Sequence, residues 1–114
     1  MIRYLTLVIG LMAFVAVPVA AQDAKQVQAG KRLYESKECA KCHLIAGKGN
    51  KISPLDGVAS KHGAAEMKKW LTATAEMEAA LDHKPKVKMS SKVGLMKLTD
   101  AEVDALVAYL MTLK

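Results

Sequence analysis

Aromatic residues make up only 4% of this 114-residue chain, and it carries two cysteines, three prolines and seven glycines. Two cysteines exclude the multi-disulfide framework that stabilises many small secreted domains. So few glycines and prolines, without any period, exclude a fibre. Acidic residues are outnumbered, 11 against 17 Lys and Arg, for a net charge of +6. Both signs are nevertheless present, and 52% apolar content is too high for a disordered tail. The length allows one ordinary domain, and no internal repeat divides it. The excess of basic residues does not point to nucleic acid, because no platform of interleaved aromatic and basic residues is present. Scarce aromatics leave a chain this short with little material for a core, so something else must complete it.

The N-terminal end has the layout of an export signal. Arg3 supplies a short positive start, Leu5 to Val17 is an apolar run, and Pro18 precedes the small residues Val19-Ala20-Ala21 and the polar pair Gln22-Asp23. This order predicts a secretory signal at residues 1–21, cleaved after Ala21, and a folded domain at residues 22–114. The competing reading is an uncleaved anchor, since the apolar stretch from Tyr4 to Ala21 approaches spanning length. Pro18 and the small residues favour cleavage.

Both cysteines lie in Cys39-Ala40-Lys41-Cys42-His43, the attachment motif of a c-type haem. The spacing has a chemical reason. Each thiol can add to one of two vinyl groups on the porphyrin edge, and His43, next to the second thiol, can reach the iron from one face. A zinc site needs two more ligands at suitable spacing, and neither a further cysteine nor an H-x-x-x-H pair is present. A redox dithiol of the thioredoxin type sits beside a βαβ pattern, and no strand-rich segment is visible.

Apolar periodicity predicts helices joined by loops. A first helix covers about Ala24 to Ser36, with Val27, Gly30, Leu33 and Tyr34 on one side. Gly30 inside a helix costs up to about 1 kcal/mol relative to alanine, which suggests close approach by another backbone. A middle helix is expected from Ala64 to Leu81, with Met67, Trp70, Leu71, Thr74 and Met77 on one side. For the last helix, Thr99-x-x-Glu102 is a capping box and Leu98 with Val103 a hydrophobic staple. Val103, Leu106, Val107 and Leu110 continue it as an apolar stripe. Between the helices lie a Gly/Lys-rich loop at Gly47 to Ser53 and a basic stretch from Lys84 to Lys97.

In these motifs and their order the chain resembles a class I c-type cytochrome of the small bacterial kind. Gly30-x-x-x-Tyr34 precedes the cysteine motif, Pro54-Leu55-Asp56-Gly57-Val58 follows it, a methionine lies late in the chain, and Leu98-Thr99-Asp100-Ala101-Glu102 opens the terminal helix. The resemblance implies an all-α fold of about three to four helices around one covalent haem c and its iron. The first and last helices would cross, with Gly30 and Tyr34 meeting Leu106 and Tyr109. It also implies that a backbone carbonyl of Pro54 accepts the His43 Nδ1 proton, and that the Trp70 indole lies near a haem propionate. The other role open to Trp70 is filling core.

His43 would be one axial ligand, and the resemblance places a methionine from the loop before the last helix opposite it. Met89 has enough chain between itself and Thr99 to cross the haem face. Met96 is the alternative, but it lies so close to the cap that packing under the helix start suits it better. His62 and His83 sit among lysines in solvated stretches. His/Met ligation is the cytochrome c pattern and raises the reduction potential. The implied function is a periplasmic electron carrier, not an enzyme, passing single electrons between redox partners. The alternatives are a haem subunit docked to a larger oxidoreductase, or a ligand-accessible peroxidase-like or sensor protein. Lys41 and Lys48 beside the attachment motif, with Lys84, Lys86, Lys88, Lys92 and Lys97 around Met89, would steer partners with acidic docking surfaces. Membrane contact would come only through partners or an uncleaved signal.

Overall fold

The computed structural model describes residues 19–114; the apolar run of the expected export signal lies outside them. Six α-helices, one 3-10 turn and three very short strands follow in the order α1 (Val19–Ser36), the 3-10 turn (Cys39–Lys41), β1 (His43–Ile45), β2 (Lys48–Gly49), β3 (Ser53–Pro54), α2 (Val58–Lys61), α3 (Ala64–Thr72), α4 (Thr74–Ala79), α5 (Ser90–Met96) and α6 (Asp100–Leu110). Helices dominate, as expected, but among the described residues they are more numerous than the three to four anticipated. No helix among the described residues is long and apolar enough to cross a membrane.

The crossing of α1 with α6 is the most extensive contact between elements, and Gly30 is the reason it can form. A Cβ at Gly30 would collide with the Ala105 carbonyl oxygen and come within 2.7 Å of Tyr109 Cβ. Any larger residue would therefore hold the two backbones apart. Tyr34, one turn further on, is buried, as are Ala105 and Leu106 on the opposite helix. α6 starts where its sequence says it should. Thr99 Oγ1 accepts the Glu102 N–H at 3.2 Å, and the Glu102 carboxylate accepts the Thr99 N–H at 3.1 Å. Two otherwise orphaned donors are thus satisfied reciprocally.

A small cluster of Met67, Val103 and Val107 joins α3 to α6, with Val58, Leu71, Leu98, Leu110 and Met111 packed around it. Leu98, the residue expected to staple to Val103, packs against the cluster of which Val103 is a member. The backbone N–H of Ala59 donates to Leu113 O at 2.9 Å, which ties α2 to the C-terminal end.

The expected helix from Ala64 to Leu81 is broken at Ala73, whose φ of −130° and ψ of 45° leave the helical region. The threonines on either side explain the break. Thr72 Oγ1 donates back to Lys68 O at 2.8 Å, and Thr74 Oγ1 to Trp70 O at 2.7 Å. Such back-bonding competes with the helical ladder. Thr74 is buried, so its hydroxyl needs this partner. The basic stretch from Lys84 to Lys97, for which the sequence predicts no helix, contains α5.

Candidate functional site

α1 ends at Ser36, and Glu38 turns the chain with a left-handed φ of 58° into the 3-10 turn. Cys39 opens that turn, Cys42 closes it with its N–H on Cys39 O, and His43 begins β1. The motif is thereby wound so that its two thiols and its imidazole leave one short bend. Both cysteines are half-buried and free thiols. Burial, opposed by a hydrogen bond at its own backbone and reinforced by Cys42, pushes the Cys39 thiol up. A thioredoxin-like nucleophile needs the opposite shift. Among the described residues there is no group of three His, Cys, Asp or Glu side chains able to hold a bare metal ion.

His43 is oriented by the three strands. β1 lies between β2, antiparallel, and β3, parallel, and the parallel register sets His43 opposite Ser53. His43 Nδ1 lies 2.9 Å from Ser53 O. A carbonyl can only accept, so Nδ1 carries the proton and Nε2 keeps its lone pair for a metal. The expected partner was Pro54. The register corrects this by one residue, because Pro54 stands opposite Leu44, whose carbonyl accepts the Leu55 N–H at 2.9 Å.

The backbone carbonyl of His43 is fixed as well. It accepts the Asn50 N–H at 3.1 Å, and the Tyr34 hydroxyl lies 3.5 Å away. Gly49 makes this approach feasible, with a φ of +109° and no side chain: a Cβ there would strike the His43 carbonyl oxygen and come within 3.1 Å of Ala40 O. The Asp56 carboxylate accepts the Ala46 N–H at 2.9 Å and braces the turn after β1. Sequence reading named none of Gly49, Asn50 and Ser53 for this task. The only sign of them was the glycine-rich composition of the loop.

Met89 stands at the entrance to α5 and is half-buried. Its carbonyl accepts the N–H groups of Lys92 and Val93 at 2.9 and 3.0 Å. Met96, also half-buried, ends the same helix, and its carbonyl accepts from Lys37 Nζ at 3.4 Å. Trp70 is half-buried on α3. His62 Nδ1 meets Glu66 at 2.9 Å, and His83 is exposed. A contact that sequence reading missed lies beside Met89. The Glu78 carboxylate on α4 accepts the Ser90 N–H at 2.7 Å and the Ser90 hydroxyl at 2.8 Å. The Ser90 N–H is the main cause that holds Glu78 below the usual carboxylate range, aided by the Ser90 hydroxyl, Lys88 and the Met89 N–H.

The cytochrome c family model matches residues 27–114. No curated protein and no solved structure gives a significant match. The residues present fit the group that this family carries. Two half-buried free thiols flank a bend, and the adjacent imidazole offers a free Nε2 with its other nitrogen tied to a carbonyl. The chain belongs to the cytochrome c family, which binds haem c and its iron covalently and uses it in electron transfer.

Proposed function

We propose that the protein is a periplasmic electron carrier whose iron is held by His43 and Met89. The single observation behind this reading is the tautomer of His43, fixed by Ser53 O with Nε2 left free. The bound haem supplies a reversible one-electron change at iron. Cys39 and Cys42 would retain it through thioethers, and His43 would approach the iron along a direction set by β1 and β3. The Nδ1 proton stays on the Ser53 side throughout and makes the imidazole a stronger donor.

Met89 is preferred to Met96 because it precedes α5, with the whole of that helix between it and Thr99 to span the haem face. Met96 is the last residue of α5, close to the Thr99 cap. His62 is paired with Glu66, and His83 is exposed. Thioether ligation opposite histidine raises the potential. Were His43 and Met89 both to hold the iron, the chain would leave no place there for a substrate, which supports a carrier over an enzyme. Trp70 retains two roles, toward a haem propionate or in the core.

Export is supported by Arg3, the run from Leu5 to Val17 and the small residues before Gln22. α1 runs through the expected cleavage point between Ala21 and Gln22. Protein recovered from the periplasm should begin at Gln22; a chain that keeps Met1 and stays with membranes would establish the anchor instead.

One optical experiment tests the ligand set. The ferric holoprotein should show a sulfur-to-iron charge-transfer band that disappears in Met89→Ala and persists in Met96→Ala. The reverse pattern would move the ligand to Met96. Absence of the band in the unaltered protein, with ready binding of cyanide, would establish an open iron site.

A further inference from the structure

α5 has no cap of its own. Met89 occupies the cap position, and its side chain accepts no hydrogen bond there. The acceptor comes from another element. The Glu78 carboxylate takes the Ser90 N–H through one oxygen and the Ser90 hydroxyl through the other, at 2.7 and 2.8 Å. A carboxylate at this end also matches the sign of the helix dipole. At the far end Lys37 Nζ, from the segment leading into the cysteine motif, donates to Met96 O at 3.4 Å. Glu78 thus holds the residue adjacent to Met89 with two charge-assisted bonds, which are stronger than neutral ones.

We infer that Glu78 is the positioning residue of the methionine side of the haem site, fixing the backbone at Met89 by clamping Ser90 to α4. This inference rests on Met89 as the iron ligand. A thioether is a weak donor with three rotatable bonds of its own, so its residence on iron depends on how little the backbone behind it can move. Releasing the Ser90 clamp frees the start of α5. The Met89-off population then rises, and any exogenous ligand that competes for that axial position binds more tightly. The core cluster that joins α3 to α6 includes neither Glu78 nor Ser90, so the clamp lies outside it.

The test uses ferric holoprotein and imidazole as the probe. Glu78→Ala should keep the sulfur-to-iron band at rest but bind imidazole about three- to tenfold more tightly than the unaltered protein. Glu78→Gln, which retains an oxygen acceptor, should shift in the same direction by less. Glu102→Ala, which removes the carboxylate half of the α6 capping box and contacts neither Met89 nor Ser90 through a hydrogen bond, serves as the control for general loosening and should leave imidazole affinity unchanged. Equal affinity in all three variants and the unaltered protein would overturn the inference, as would an equal rise in Glu102→Ala. If the unaltered protein itself lacks the band, or keeps it in Met89→Ala, the ligand assignment has failed instead.

Discussion

Tyr34 and Tyr109 meet edge to face across the α1–α6 crossing, with ring centroids 5.8 Å apart and planes at 61°. This geometry sets the positive edge of one ring against the negative face of the other. It depends on Gly30, because only a glycine lets Tyr109 Cβ come so close to α1. Tyr109 is half-buried, so truncating it removes less than the full burial of an aromatic. Tyr109→Ala should cost about 1–3 kcal/mol in denaturant unfolding of the holoprotein, below the 3–5 typical of fully buried rings. Gly30→Ala should cost more despite adding a single methyl, because its neighbour is the Ala105 backbone and cannot step aside. The opposite ranking would mean that the helices cross elsewhere.

A second expectation concerns Gly49. Its φ of +109° is strained for any other residue, and its missing Cβ leaves room for the His43 carbonyl. Gly49→Ala should displace β2 from β1 and loosen the His43–Ser53 register. In a host competent for haem attachment, the yield of protein with covalent haem, read by intact mass, should fall well below that of Gly47→Ala. Gly47 also has a positive φ, of 78°, but nothing lies near its missing Cβ. Equal yields would mean that backbone strain alone matters and that contact with His43 does not.

The parts of the fold legible in the sequence are those whose cause is local. The Thr99–Glu102 box is four consecutive residues, the cysteine motif is five, and Gly30 with Tyr34 is one helical turn. Their placement follows from short-range chemistry. The parts that escaped have distant causes. α5 draws its N-terminal acceptor from Glu78, outside its own segment, and includes Gly94 in its interior, so neither capping nor propensity marks it. The strands are two or three residues long, below the length at which alternation can be read. Ser53 displaced Pro54 as the partner of His43 because a one-residue register was settled by backbone pairing. The break at Ala73 came from two threonine hydroxyls that periodicity treats as compatible with a helix.

Glu102 supplies a pH dependence with a definite sign. The Thr99 N–H, then the Thr99 hydroxyl, hold its carboxyl below the usual range, with Lys37 assisting against partial burial. A folded value below the unfolded one means that the unfolded chain binds more protons in the interval between them. The cap therefore contributes fully above the ordinary glutamate value of about 4.3, and its contribution is lost as pH falls through the folded value. Glu102→Gln keeps an oxygen acceptor without a titrating charge. The stability advantage of the unaltered protein over Glu102→Gln should be present at neutral pH and shrink on acidification below that value. Denaturant unfolding at several pH values measures it, and an advantage that grows toward acid would contradict the assigned cap.

The exposed lysines bear on partner encounter under the proposed carrier function. Lys84, Lys86 and Lys92 are exposed and lie on either side of Met89 in the chain, whereas Lys41 is already paired with Glu38 at 2.7 Å. Free charges on one segment act at a distance and so affect association rate more than the strength of the final contact. Replacing these three lysines by glutamate should leave thermal stability nearly unchanged, since exposed surface substitutions typically move it by less than about 0.5 kcal/mol. Electron transfer with an acidic partner should slow by about tenfold or more at low ionic strength. The difference should close near ~1 M salt, where screening confines each charge to about 3 Å. Reversing lysines that do not steer would lower the rate equally at all salt concentrations or not at all. The slope of rate against ionic strength, compared between the two proteins, therefore tests the docking surface independently of the iron's ligands.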